Sequence, residues 1–363
     1  MNASYVALAA APLSIENARH MMDDILEVFF ADRIAKAAAI DEAYATLWRN
    51  TARLSAIGGK RIRPYVMLLT HQAWTDQPAA SVAHVAAALE LLHLAMLVHD
   101  DIIDRDLIRY GVDNVAGQQD KLYTPYLSDP IERRHFSDSA AILAGDVLIS
   151  EGYQLLLKAA IPAAKKLLAT KLYGQAIFTV AGGELLDTES AFRPFDSVSA
   201  LTIALHKTAH YSFVTPLVMG ATLGGASDDD IASLTRFGET VGVAYQLVDD
   251  ILGVFGDSAA TGKSNDSDLK EAKHTYMVEQ FRRHASASQL AAFNTLFGKS
   301  NLSPGEADHL RALLIESGAK KLTESAIETY ITTSLDIIDS MAISSDTKRI
   351  FTDLVARVTK RLT

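Results

Sequence analysis

Cysteine is absent from this 363-residue chain. Disulfides and thiolate metal sites are therefore excluded, and any bound metal must rely on oxygen or imidazole ligands. Proline is scarce, at nine residues. There is no strand alternation of useful length and no Asn-Gly or Asp-Gly turn between alternating runs, so a β architecture has no support. An excess of basic residues is also missing: Lys and Arg total 34 against 44 Asp and Glu, a formal charge of −10. Such a chain is poorly suited to non-specific nucleic-acid binding, and it binds anions only through local basic clusters or bridging cations. The Ala-rich stretch Tyr5–Leu13 has no basic residue before it, unlike a secretory signal. The most apolar later stretch, His84–His99, is interrupted by Glu90 and His93. It falls short of the ~20 residues that a membrane span requires. A cytoplasmic protein without stable membrane insertion is expected.

What the chain does have is helix-forming material in bulk. Apolar residues make up 49% of it and aromatics 7%, enough for a large buried core. Ser14–Trp48 reads as one long amphipathic element with Ser14 as its N-cap. Ser81–Arg109 has neither Gly nor Pro and carries an Ala/Leu stripe, and Ile231–Val254 repeats that character. Three stretches read as irregular: the Gly-Gly turn of Ile57–Pro64, a long polar loop over Gly111–Ser137, and a second loop over Gly256–Asp268. None suggests a domain boundary, and a single all-α bundle over residues 1–363 is expected.

Two acidic motifs close apolar helices. In His99-Asp100-Asp101-Ile102-Ile103-Asp104, the first and last aspartates are i and i+4 and stack on one face. Like charges so placed destabilise a helix by a few tenths of a kcal/mol, which a bound Mg²⁺ would offset by accepting hard oxygens together with water and phosphate. The second motif, Gln246-Leu247-Val248-Asp249-Asp250-Ile251-Leu252-Gly253, has glycine at the corresponding i+4 position. Either motif alone reads as a solvated helix end. Two of them, about 150 residues apart, suit a diphosphate held through shared metal ions.

Cations accompany them. Gly58-Gly59-Lys60-Arg61-Ile62-Arg63-Pro64 sets three basic residues beside a turn whose glycines let the backbone approach an anion. His93 lies two helical turns before Asp100, Arg109 lies five residues past Asp104, and Lys207-Thr208 interrupts an apolar helix. Lys263 and Lys273 follow the second motif. Taken singly, a histidine in such a helix is an ordinary core residue and a lysine snorkels to the surface.

In order and spacing, Gly58–Pro64, Asp100–Asp104, Gly145-Asp146, Lys207-Thr208, Gln246–Asp250 and the Gly262-Lys263…Asp268…Lys273 run resemble the polyprenyl synthetase family, over roughly residues 55–280. That resemblance implies an all-α fold of antiparallel helices around a central cavity, assembled as a homodimer. It implies condensation of isopentenyl diphosphate with an allylic diphosphate to a linear all-trans product, with three Mg²⁺ ions. By position, Asp100, Asp104 and Asp249 would be metal ligands, with Asp101 and Asp250 beside them. Gly59, Lys60, Arg63 and His93 would hold isopentenyl diphosphate, while Arg109, Lys207, Lys263 and Lys273 would hold the allylic diphosphate. Thr208, Gln246 and the backbone near Lys207 would stabilise the allylic cation, and Asp187 falls in a run where the family carries Gln and this chain Glu184.

Two further departures stand out. Arg109-Tyr110-Gly111 replaces the family's Arg-Arg-Gly, and Gly253 replaces the last Asp of the second motif. Loss of a charge-assisted contact costs about 1.5–3 kcal/mol, so on charge alone Tyr110 is expected to raise the Michaelis constant for isopentenyl diphosphate. In the helix before Asp100, Ala95 and Met96 stand where the family's shorter-chain members carry aromatic stops, and Leu92 and Ala88 are no stronger barrier. A product of C20 or longer is expected. A terpene cyclase and a non-catalytic subunit of a heteromeric synthase are the alternatives. Lys60, Arg63 and His93 speak against the first, and intact Asp100, Asp101 and Asp104 against the second.

Overall fold

The computed structural model describes residues 13–256 and 265–359. Most of Tyr5–Leu13, together with Gly262 and Lys263, lies outside the described residues. Helices dominate, and the one sheet among the described residues is a two-stranded hairpin. The chain divides into two compact units: residues up to Gly174 with Met219–Ala226, and Gln175–Val218 with everything from Ser227 onward.

The first unit opens with α1 (Ile15–Ala38), capped by the Ser14 side chain accepting from the Asn17 amide. The expected single element to Trp48 is in fact two. Asp41 accepts from the amide of Ala43 and starts α2 (Glu42–Ile57), because a short acidic side chain satisfies the free amides of a new helix. Then come α3 (Ile62–Ala73) and α4 (Ala83–Ile103). Helix α4, with the 3₁₀ turn before it, is long and apolar enough to cross a membrane, but 72% of its apolar window is buried in protein. It is the unit's core helix, with Ala88, Leu92 and Ala95 fully buried.

The expected loop over Gly111–Ser137 is mostly ordered structure. Strands β1 (Ile108–Arg109) and β2 (Val112–Asp113) pair through a tight turn in which Tyr110 and Gly111 have φ of 55° and 75°. Both central residues on the left-handed side define the hairpin turn that matches strand twist. Asn114 then caps α5 (Val115–Tyr123). Asp129 caps α6 (Pro130–Lys158), with Pro130 in the first turn, where its missing amide costs nothing. The polar and proline residues that suggested a loop are helix starters. Helix α6 also passes the length and composition test for a span, with 44% of its window buried. Helix α7 (Ala163–Ser190) leads the chain into the second unit.

The second unit continues with α8 (Ala200–Ile203) and a π-helical segment, Ala204–Val214. Helix α9 (Thr215–Gly224) returns the chain to the first unit at Met219. Back in the second unit, α10 (Asp228–Phe255) begins with a capping box between Ser227 and Asp230. Gly242 of α10 lets it lie against the π segment: a β-carbon there would stand 2.5 Å from Cα of Ala209. After one turn of helix, α11 (Ser267–Lys270), the remainder is α12 (Tyr276–His284), α13 (Ala287–Leu296), α14 (Pro304–Glu316), α15 (Ala319–Ser340) and α16 (Ser345–Thr359). A satellite core of Met277, Phe281, Phe293, Leu310 and Leu314 ties the α12–α14 region together.

Candidate active site

Each unit carries one of the two acidic helix ends. In the first unit, α4 stops in a Schellman motif: the Asp106 amide donates to the Asp101 carbonyl (2.8 Å) and the Arg105 amide to that of Ile102 (3.2 Å). Arg105 holds the left-handed position at φ 60°, usually glycine's. This reversal brings Arg109 back onto the helix. Its Nε donates to Asp101 Oδ1 at 2.7 Å and its Nη2 to Asp100 Oδ2 at 3.0 Å, with Arg109 and Asp101 both buried. Burial pushes the Asp101 carboxyl up to about 6 against the pull of Arg109, and its Oδ2 is buried without a hydrogen-bond donor. Asp101 thus faces inward, whereas Asp100 and Asp104 remain partly open on the other side of the helix end.

The basic turn lies in the same unit. Gly59 has φ 100°, a conformation that requires glycine. Of the three cations, Arg61 is structural: it is buried and donates to Glu90 (2.7 Å), Asp23 (3.0 Å) and the Ser55 carbonyl (2.8 Å). Lys60 is exposed and Arg63 half-buried. Burial first, and then Arg63, Arg109 and Arg61, hold the half-buried His93 imidazole well below its ordinary value, so it is neutral at physiological pH. Gly58, Gly59, Arg61, Glu90, His93 and Tyr110 share the wall of one small cavity. In the Gly145-Asp146 pair, Gly145 makes room for His99, whose Nε2 would stand 2.2 Å from any β-carbon there.

In the second unit, Gly183 of α7 packs directly on the π segment, where a β-carbon would stand 2.2 Å from the Lys207 amide nitrogen. This closeness lets Lys207 Nζ reach both Glu184 (3.0 Å) and Asp187 (2.5 Å). One residue on, Thr208 Oγ1 donates to Gln246 Oε1 (2.5 Å), and Gln246 Nε2 donates to Asp250 Oδ1 (2.8 Å). Asp250 is buried, which pushes its carboxyl up to about 8, while Asp249 is exposed. At Gly253, a β-carbon would lie 2.0 Å from Asp268 Oδ2. The carboxylate of Asp268 therefore occupies the space beside this missing side chain, and it pairs with Lys273 at 3.7 Å.

Among the described residues no three His, Asp or Glu side chains converge as a ready-made cation site. Asp100 and Asp104 in the first unit, half-buried, and Asp249 in the second, exposed, each present hard carboxylate oxygens, the donor type that magnesium takes alongside water and phosphate. Residues that sequence reasoning passed over are Asp23 and Glu90, the partners of Arg61. Glu90 read only as an interruption of an apolar run, and its placement one helical turn before His93 was the available clue.

Comparison with known proteins identifies the family of the chain. The polyprenyl synthetase family model matches residues 45–314. A geranylgeranyl diphosphate synthase of Methanosarcina mazei is 28% identical over 83% of this chain and 87% of its own length. A short chain isoprenyl diphosphate synthase of Methanothermobacter thermautotrophicus is 30% identical over 85% of this chain and 84% of its own. A crystal structure of geranylgeranyl pyrophosphate synthase from Corynebacterium glutamicum, complexed with isoprenyl diphosphate and magnesium, superposes with a TM-score of 0.88 at 28% identity, covering 96% of this chain and all of that one. The chain belongs to the polyprenyl synthetase family and is an all-α prenyl transferase.

Proposed function

We propose that the protein condenses isopentenyl diphosphate with an allylic diphosphate to give a linear all-trans polyprenyl diphosphate of C20 or longer. The observation that carries this is the repeated helix end: in each unit an apolar helix closes with one carboxylate buried and hydrogen-bonded and its neighbour closer to solvent. Asp100 and Asp104, and Asp249, are the residues that would hold magnesium, three ions in all. Bound magnesium supplies positive charge to the departing diphosphate.

The chain's own residues do the rest. Gly59, Lys60, Arg63 and neutral His93 hold isopentenyl diphosphate. Lys207, Lys263 and Lys273 receive the allylic diphosphate, while Arg109 acts by fixing Asp100. The allylic C–O bond breaks with its electron pair leaving on the diphosphate, the isopentenyl double bond attacks the cation, and a proton is lost to the leaving diphosphate. The Thr208 and Gln246 dipoles face that cation, preorganised by their mutual bond. Holding both substrates in register makes the step effectively unimolecular. Buried Ala95, Leu92 and Ala88 offer no aromatic stop in α4, in keeping with relatives named for C20 and longer products. The same reading places the protein in the cytoplasm as a homodimer. Leu143 and Leu157 on α6 and Leu167 on α7 are among the exposed apolar side chains that a second copy could cover.

The test is incubation with Mg²⁺, isopentenyl diphosphate and C5, C10 or C15 allylic diphosphates, followed by mass spectrometry. Elongation to C20 or beyond supports the reading. Cyclised hydrocarbon formed without regard to isopentenyl diphosphate, or unreacted substrate, rejects it.

A further inference from the structure

Gly58 closes α2 with φ −111° and ψ 165°, an extended conformation open to any residue. Backbone geometry therefore does not demand glycine there. The steric reason is Tyr110: a β-carbon at position 58 would lie 2.0, 2.5 and 2.7 Å from Cε2, Cδ2 and Cζ of its ring. The ring rests on the bare α-carbon of the first residue of the basic turn. Tyr110 is itself held in an unfavourable conformation, φ 55°, on a hairpin whose preceding residue, Arg109, is locked to Asp100 and Asp101. A bulky residue in the left-handed region costs on the order of 1–2 kcal/mol, so the surrounding contacts must outweigh that strain.

We propose that Tyr110 is a positioning residue that clamps the Gly58–Arg63 turn, setting the geometry with which this turn receives isopentenyl diphosphate. The clamp links two segments far apart in sequence: the turn that carries Gly59, Lys60 and Arg63, and the hairpin anchored on the acidic end of α4. The proposal rests on the substrate assignment made above. Charge alone predicts that Tyr110→Arg lowers the Michaelis constant for isopentenyl diphosphate. A ring that holds the turn predicts that it rises, because the flexible guanidinium stem does not replace the flat contact on Gly58.

The experiment combines hydrogen–deuterium exchange of peptides covering residues 56–64 with steady-state kinetics in both substrates. Tyr110→Ala should speed exchange in the turn and raise the KM for isopentenyl diphosphate roughly tenfold, with kcat and the allylic KM nearly unchanged, a size typical of a displaced positioning element. Tyr110→Phe, which keeps the ring, should restore both readouts. Gly58→Ala should reproduce the defect by pushing the ring aside, and Gly58→Ala with Tyr110→Ala should be no worse than Tyr110→Ala alone. Additive effects of that pair, or unchanged exchange in Tyr110→Ala, would overturn the clamp. Faster exchange with an unchanged KM would leave the clamp standing but overturn the turn as an isopentenyl diphosphate site. Wild-type protein that elongates nothing rejects the proposed function itself, and exchange still decides the clamp.

Discussion

The two acidic helix ends begin from the same local pattern, an Asp-Asp pair after an apolar helix, and handle the inner carboxylate differently. In α4 the inner Asp101 is met by a guanidinium, brought back by the Schellman turn and the hairpin. In α10 the inner Asp250 is met by the amide of Gln246. Burial raises both carboxyls, to about 6 and about 8 respectively, and Arg109 limits the rise in the first case. A buried carboxylate keeps its charge only when a cation is fixed beside it, and otherwise it takes up a proton. The first end is therefore an ion-paired scaffold, while the second is a neutral relay, Thr208 to Gln246 to Asp250. The outer carboxylates stay closer to solvent in both, Asp100 half-buried and Asp249 exposed.

The largest effects should come from the outer carboxylates, where the two ends are expected to behave alike. Asp100→Ala and Asp249→Ala should each lower kcat by roughly 10³-fold, comparable to removing a principal electrostatic contact to the transition state. Circular dichroism should show the fold retained. If only one of the two substitutions lowers turnover, the ends are not functionally equivalent.

The inner carboxylates should separate them. Asp101→Asn leaves the buried Arg109 short of charge compensation and should cost about 3 kcal/mol of stability in a denaturant titration at neutral pH, within the range for breaking a buried pair. Asp250→Asn replaces a carboxyl whose environment already favours its neutral form with a near-isosteric amide, and should cost under about 1 kcal/mol. Equal costs would mean that Arg109 is not what distinguishes the two sites.

Much of this was legible in the sequence. The outer aspartates, the Gly-Gly turn and Lys207 stand out because charge or glycine in an apolar helical chain is locally conspicuous. What escaped depends on contacts between distant segments. Nothing near Arg61 marks it as the structural cation of its trio, because Asp23 and Glu90 lie 38 and 29 residues away. Gly58 looked like turn chemistry and is instead room for Tyr110. The apparent loop over Gly111–Ser137 failed for the opposite reason. Asn114, Asp129 and Pro130 were read by composition, although each sits where a helix start favours it.

The smallest effect is expected at Glu184, the acidic residue where the family carries glutamine. Lys207 is counted as a diphosphate contact, yet its ammonium is already shared between Glu184 at 3.0 Å and Asp187 at 2.5 Å. Two carboxylates around one lysine leave a net negative cluster, which opposes an incoming anion. The Lys207–Glu184 pair is about one-fifth exposed at each side chain, so solvent screens it only in part, and Asp187 still pairs with Lys207 when Glu184 is neutralised. Glu184→Gln keeps the shape and one hydrogen-bond acceptor while removing a charge. The allylic KM should fall about two- to fourfold, the scale of a partly screened charge, with the isopentenyl KM unmoved. Asp187→Asn, at the shorter distance, should also lower the allylic KM but loosen Lys207, so its kcat should fall as well. An allylic KM that rises in Glu184→Gln would mean that this carboxylate orients Lys207 rather than competing for it.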